Sequence, residues 1–545
     1  MPNDAASDNF LRIDEERTIQ EFLQKHPRDT ADRVLRWWQI VWYAVVAVAI
    51  LLLFLKNEIH VPALTIALPY FSLNRGFPDF HLYLARIPEF RLYFAHIIQL
   101  FCTFYIVVIC LKLVSVAASI FSDNQIRVKP QELEAVTDAE LPLYTILVPL
   151  FHEKEVASKI VAAIDRLDYP KDKLDVKLLL EPDDEETLAA IRQLNLPGCY
   201  QPIIVPRSQP RTKPKACNHG LEHARGEYLV IYDAEDRPEP DQLRKAIAAF
   251  RKAAPDTVCL QAKLNYYNPD QNWLTRFFTV EYSTWFDLYL SGLHSLRWPI
   301  PLGGTSNHFK TSVLREIGGW DPFNVTEDCD LGIRLHRLGH KTEILDSTTW
   351  EEANSQLFNW IRQRSRWVKG YLQTHFVYMR NPFRSLRLLG LWGFCGFLLT
   401  VGGLALMLLL NPIFWLIGLT WLTLFGIDLY AAGGSIREVM ALPAPLRWSW
   451  RMLYNDPTGD PVMNTVSLVF YGMTLALVLG NVVFIAISVL ACWRRRMPRL
   501  IPYALLSPFY WALISVGAWK GFLQLLTRPF YWEKTKHGLD QAKPF

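Results

Sequence analysis

The stretch "YLVIYDAEDRPEP", residues 228–240, decides the fold. From Tyr228 to Tyr232 it carries no charge, and its β-branched and aromatic side chains favour a strand. A strand apolar on both faces needs cover on both faces, which is the habit of parallel sheets in α/β proteins. The run then ends in the carboxylates Asp233, Glu235 and Asp236. Ligands of open α/β sheets bind beyond the carboxyl ends of the strands. Acids spaced this way can present oxygens to one hard cation, Mg²⁺ or Mn²⁺, which takes one or two carboxylates and completes its shell with substrate phosphates and water. A solvated acidic turn would carry the same letters, so the motif needs company.

Outward from it, "LYTILVPL" (143–150), "VKLLLE" (176–181), "PIIVP" (202–206) and "TVCLQAKL" (257–264) are further strands. Helical periods lie between them, as in "KEVASKIVAAIDRL" (154–167). The alternation predicts an α/β, Rossmann-like domain with a mostly parallel sheet over residues 122–353.

This domain sits between apolar runs. The chain has 545 residues, 51% of them hydrophobic, with a mean hydropathy of +0.09. Residues 1–36 form a polar arm without the pattern of a cleavable signal peptide. Runs at 38–55 and about 96–121 predict two transmembrane helices within residues 37–121. Runs at about 388–410, 413–432, 465–491 and 500–525 predict about four transmembrane or interfacial helices within 387–525, before a cytosolic tail at 526–545. Arg28, Arg33 and Arg36 place the N-terminus, and with it the α/β domain, in the cytoplasm of a multi-pass inner-membrane protein. Six spans leave "RRRMPR" (494–499) on the opposite side, against the same rule. The net charge of only +4 offers no global field for nucleic acid, and none is expected as a partner. The eight cysteines form no C-x-x-C pair and read as reduced thiols.

Four further motifs carry chemistry. Glu181, Pro182, Asp183 and Asp184 follow a strand, where a carboxylate can hold a base edge or a ribose hydroxyl; the same acids also suit a helix N-terminus. Arg211, Lys213 and Lys215 lead into a helix and can meet a diphosphate. In "NVTEDCDLGIRLHRLG" (324–339), Thr326 is positioned as a helix N-cap and Asp328 as a first-turn anion. Asp328 is also placed to act as a general base, with Glu327 beside it facing substrate. In "IRQRSRWVKG" (361–370), within amphipathic interface helices over 354–386, Gln363, Arg366 and Trp367 share one helical face. Arg366 offers two donors to phosphate oxygens and Trp367 a flat face to a sugar ring; a membrane-interface belt also uses Trp and Arg.

These motifs, in this order, resemble the processive family 2 glycosyltransferases of the cellulose-synthase-like group. The resemblance rests on "VPLFHE" (148–153), "EPDD" (181–184), "KPKACN" (213–218), "DAED" (233–236), "TED" (326–328), "QRSRW" (363–367) and "WEKTKHG" (532–538). It implies a GT-A fold and an inverting transfer from a UDP-sugar, UDP-glucose by default, to a growing β-linked glycan coupled to export. It also implies that Glu153 and Asp183 or Asp184 hold the uridine, and that Lys215 lies near the diphosphate. Asp233 and the next acid would bind Mg²⁺ or Mn²⁺, and Asp328 would be the base. Gln363, Arg366 and Trp367 would close the acceptor and diphosphate end. Two departures stand out: Glu235 replaces the second Asp of the metal motif, and His152 stands where the family often has Asn. Beyond donor, acceptor and bilayer, the resemblance leaves room for export or regulatory protein partners. Competing readings are transfer of a single sugar to a membrane lipid, a non-catalytic receptor or assembly component on a transferase scaffold, and a transporter.

Overall fold

The computed structural model describes residues 17–35, 38–41, 45, 88–122, 125–441, 461–531 and 533–540. Its sheet has eight strands: β1 Tyr144–Leu150, β2 Leu174–Leu180, β3 Tyr200–Ile204, β4 Tyr228–Ile231, β5 Arg237–Pro238, β6 Thr257–Tyr266, β7 Asn307–Lys310 and β8 Lys341–Glu351. Their order is β3-β2-β1-β4-β7-β6-β8-β5. The expectation of a mostly parallel sheet needs correction. β1, β2, β3 and β4 run parallel, as do β6 and β8, but β7 lies antiparallel to both β4 and β6, and β5 is antiparallel to β8. The sheet is therefore mixed. Sequence reading passed over β7 because its "NHFK" is polar. His308 is nevertheless buried, since the Tyr144 hydroxyl and His308 Nδ1 satisfy each other at 2.7 Å.

The apolar strands are covered on both sides. Ile146, Val148, Val176 and Leu178 join Ile160 and Ile164 of the helix Ala157–Asp165 in one core cluster. The alternate residues Leu147 and Leu179 face the helix Lys213–Glu222, which approaches closely because Gly220 has no side chain there. Each aliphatic side chain so buried contributes about 1.5–3 kcal/mol. This is why continuous apolar strands occur where one-sided sheets would alternate.

The chain divides into two compact units. The first comprises Met1–Val34, Lys112–Leu406 and Ile485–Phe545, and includes the sheet. Here the helix Arg17–Lys25 leads to a segment held on the domain, where Ala31 N donates to Asp321 Oδ2 at 2.6 Å and Arg337 pairs with Asp29 at 2.8 Å. The helix Ser507–Thr527 packs along Leu357–Tyr378, with the Tyr510 and Trp360 rings 5.3 Å apart. The turn "RRRMPR" also binds this unit: Arg495 pairs with Asp287 and donates to Thr348 Oγ1 at 3.2 Å, and Arg499 pairs with Asp270 at 2.8 Å.

The second unit, Leu35–Leu111 and Met407–Phe484, contains apolar helical segments, with Tyr105 packed edge-on against Phe414 at 5.0 Å. The expected run at 38–55 lies mostly outside the described residues. Among the described residues, Thr103–Phe121 and Pro382–Leu416 are long and apolar enough to cross a membrane; Pro498–Leu505 with Ser507–Thr527 would be a third, bent by 66°. The runs expected at 388–410 and 413–432 have no break between them, because the helix Leu404–Ala431 continues through Pro412. No disulfide joins the described cysteines.

Candidate active site

The carboxyl ends of β1, β2 and β4 lie side by side, so the segments that follow them share one edge of the sheet. Beyond β4, the three acids expected to ligate metal take three different roles. Asp233 is part-exposed and accepts from Lys213 Nζ at 2.5 Å. Asp236 is buried beneath the turn, where its Oδ2 accepts from Asp233 N at 2.8 Å and from the Thr305 hydroxyl. Burial, then the charges of Asp233 and Glu235, push its carboxyl well above the usual range. Glu235 turns to the C-terminal segment and pairs with His537 Nδ1 at 2.8 Å. Burial alone would raise Glu235, but His537, a backbone N–H and Lys213 together outweigh it and hold the carboxyl below its ordinary value. The same pair lifts His537 to about 9 against the effect of burial. Among the described residues no three His, Cys, Asp or Glu side chains form a metal-binding group. The donor that fits a hard cation is Asp233, which already holds one, the Lys213 ammonium; phosphates and water would complete the shell.

Asp328 opens the helix Glu327–Arg337. Its Oδ1 accepts from Cys329 N at 2.7 Å. A methyl group placed on Gly304 would lie 3.4 Å from Asp328 Oδ2, 3.9 Å from Lys213 Nζ and 4.0 Å from Asp233 Oδ2. The carboxylates of "TED" and "DAED" therefore converge across one small gap. Burial raises the Asp328 carboxyl, while Lys213 and Arg366 pull it back. Glu327 is pushed up to about 7 by burial and by Asp328. Thr326 stands at the N-cap position, yet its hydroxyl makes no cap bond. It packs instead on Gly370, where an added Cβ would come within 2.2 Å of the Thr326 hydroxyl. Asn324 Nδ2 donates to Thr374 Oγ1 at 2.9 Å and Val325 N to Gln373 Oε1 at 3.2 Å, so the segment leading to Asp328 is fixed to the "QRSRW" helix.

In that helix, Leu357–Tyr378, Arg366 is close enough to lower both Glu327 and Asp328. Gln363 Oε1 is buried without a hydrogen-bond partner among the described residues. The residue sequence reading missed is Arg364. It is 4% exposed and grips both oxygens of Glu281, with Tyr510 Oη at 2.9 Å. Its guanidinium lies 4.5 Å from the Trp367 ring centroid and 4.4 Å from that of Phe278. Trp367 is thus set by a charged, aromatic bed.

At the other end, Glu153 is buried and meets Lys534 Nζ at 2.9 Å; burial pushes its carboxyl to about 7. Phe151 is flanked by Arg211 at 5.7 Å and Lys534 at 5.2 Å from its ring. Asp183 is exposed and pairs with Arg211 at 2.7 Å. Asp184 instead turns inward. It caps its helix by accepting from Thr187 N at 3.3 Å and holds the left-handed His152 by accepting from its N–H at 2.5 Å. Lys215 is fully enclosed, with Glu181 at 3.1 Å and Pro206 O at 3.2 Å, and Lys213 takes the open position. The segment 533–540 ties across this edge through Lys534 and His537, with Glu352 accepting from the backbone of Gly538 and Leu539 at 2.8 and 2.7 Å.

A family model described as "Glycosyltransferase like family 2" matches residues 142–370. The "Probable glycosyltransferase YdaM" of Bacillus subtilis is 25% identical over 255 residues, 46% of this chain and 60% of the relative. The "Probable glucomannan 4-beta-mannosyltransferase 15" of Arabidopsis thaliana is 29% identical over 241 residues, 42% of this chain and 44% of the relative. The chain thus spans about half the length of the curated relatives it matches. Among solved structures, the "Mannosyltransferase PcManGT from Pyrobaculum calidifontis in complex with GDP-Man and Mn2+" aligns with a TM-score of 0.41 at 16% identity, over 78% of this chain and 98% of that one. Residues 142–370, which hold the mixed sheet and the converging carboxylates, are thus the part of the chain that is similar to glycosyltransferase family 2.

Proposed function

We propose that the chain is a membrane-embedded inverting glycosyltransferase that extends a β-linked polysaccharide from UDP-glucose. The observation that carries this is the gap at Gly304, bordered by Asp328 Oδ2, Lys213 Nζ and Asp233 Oδ2 at 3.4, 3.9 and 4.0 Å from one point. Asp328, its pKa raised by burial, takes the proton from the acceptor hydroxyl. That hydroxyl attacks the anomeric carbon from the face opposite the diphosphate, so an α-linked donor yields a β-linkage. Lys213 and Arg366 face the negative charge that develops on the departing diphosphate. A Mg²⁺ or Mn²⁺ ion held by Asp233 would supply further Lewis-acid stabilisation of that charge. Trp367, stacked on Arg364, orients the acceptor sugar. Glu153, Asp183 and Phe151 line the nucleotide end. Asp236, Asp184 and Lys215 support the site from behind, and Glu235 anchors His537.

The apolar helices support a location of this chemistry at the cytoplasmic face of the inner membrane, with the product exported. The binding of Arg495 and Arg499 to the transferase unit supports a re-entrant or interfacial helix pair at 498–527, which keeps "RRRMPR" on the cytoplasmic side. A second donor, a nucleotide-activated mannose, is favoured by the relatives named as glucomannan mannosyltransferases. Incubation of the purified protein with a panel of nucleotide sugars and Mg²⁺ or Mn²⁺, followed by product sizing and linkage analysis, tests the reading. A polymer from UDP-glucose supports it. Polymer from GDP-mannose alone selects the second donor, a single-sugar lipid product selects the lipid acceptor, and no nucleotide release from any donor refutes transfer.

A further inference from the structure

The motif that family resemblance singles out in "KPKACN" is centred on Lys215, yet that ammonium is fully enclosed and committed to Glu181 and Pro206 O. Two residues earlier, Lys213 is part-exposed at the gap itself. Its ammonium donates to Asp233 Oδ1 at 2.5 Å and to Gly304 O at 2.7 Å. These bonds use two of its three N–H groups. Its field also lowers Glu235, Glu327, Asp328 and Glu351, so one cation neutralises a ring of carboxylates. Lys213 begins the helix Lys213–Glu222, and the preceding Thr212 is fixed by its hydroxyl bond to Pro322 O at 2.8 Å. The root of the side chain is therefore anchored while its long, rotatable stem can re-aim the ammonium.

We infer that Lys213 is an exchangeable cation: it holds Asp233 while the donor site is empty, and moves to the donor diphosphate when a divalent ion takes Asp233. The electrostatics require the exchange. An ammonium and a divalent ion in contact with the same carboxylate repel strongly at this range. A diphosphate offers the displaced ammonium acceptors of higher charge than a carbonyl. Lys213 therefore opposes metal binding in the absence of nucleotide and favours it in its presence, and by linkage the metal favours nucleotide by the same factor. The inference rests on the transferase reading. The donor panel tests that reading through turnover, whereas Lys213 is tested by metal binding without turnover.

The experiment is titration of Mn²⁺ into the detergent-solubilised full chain, with the free ion read by electron paramagnetic resonance, with and without UDP. In the wild-type protein, UDP tightens Mn²⁺ binding by about tenfold or more. Lys213→Gln binds Mn²⁺ without nucleotide about tenfold more tightly than wild type, and loses most of the UDP coupling. Lys213→Arg keeps the cation and stays within about threefold of wild type. Mn²⁺ binding that is unchanged or weaker in Lys213→Gln overturns the inference. So does wild-type Mn²⁺ affinity that ignores UDP, a result that stands even if the Gln variant does not fold.

Discussion

Replacing Gly304 by alanine places one methyl group at the centre of the proposed chemistry. The nearest atoms to that methyl are Asp328 Oδ2 at 3.4 Å, Lys213 Nζ at 3.9 Å and Asp233 Oδ2 at 4.0 Å. All three are ordinary van der Waals distances, and Gly304 is not among the residues with positive φ, so neither overpacking nor backbone strain opposes the change. Restricting the unfolded chain even favours alanine by about 0.4–1 kcal/mol. In the proposed mechanism, however, the gap is where the reacting groups meet, and displacement by about 1 Å costs on the order of 10²-fold in rate. Gly304→Ala is thus expected to keep its Tm and lose about a hundredfold in kcat/KM, roughly 2.7 kcal/mol of transition-state stabilisation. Nucleotide release and a thermal melt on the same preparation read both. Gly370→Ala is the contrast: its Cβ would come within 2.2 Å of the Thr326 hydroxyl, so it should lose stability and activity together. A Gly304→Ala enzyme with near wild-type turnover would refute the assignment of the gap.

Two further outcomes follow from named contacts. Arg364→Met removes a guanidinium from beneath Trp367 and strands the Glu281 carboxylate, which retains some solvent contact. A loss of about 2–4 kcal/mol in unfolding stability is expected, and Glu281→Gln added to it should recover part. Recovery of none in that double variant would show that the pair is not coupled. His537, lifted from 6.5 to about 9 by Glu235, stabilises the C-terminal segment fully below pH 6.5, and that stability is lost as pH rises through about 9. Hydrogen exchange over residues 533–540 should therefore quicken between pH 6.5 and 9.5, beyond the ordinary base-catalysed increase, and His537→Asn should abolish that extra dependence; a wild-type profile already without it contradicts the role.

The parts of this molecule that sequence makes legible are those whose neighbours are near in the chain or uniform in chemistry. β1, β2, β4 and β6 announce themselves because both faces are buried and the letters are apolar throughout. β7 and β8 do not, since they bury polar groups against distant partners: His308 against Tyr144, and Ser347 and Thr349 against Gln242. Asp233 and Asp328 are readable as a strand end and a helix start. Their meeting is not, because it depends on Gly304, which "PLGGTSNHF" marks only as a glycine pair. The two lysines of "KPKACN" differ by two positions, yet one faces the gap and the other the core. That choice is made by Glu181 and Asp233, which lie on different strand ends. Arg364 was hidden for the same reason, as Glu281 is 83 residues away.

Asp328→Asn, assayed with the donor that supports turnover, places the weight on one proton. The carboxamide keeps the size of the side chain and removes the base, so sugar transfer should fall by on the order of 10²–10⁴-fold. Nucleotide binding in the presence of Mn²⁺ should stay within about threefold of wild type, because in the proposed arrangement Glu153 and Asp183 hold the nucleotide, and Asp233 the ion, instead. Transfer at the wild-type rate by this variant would contradict Asp328 as the base, and with it the reading of the Gly304 gap as the place where the glycosidic bond forms.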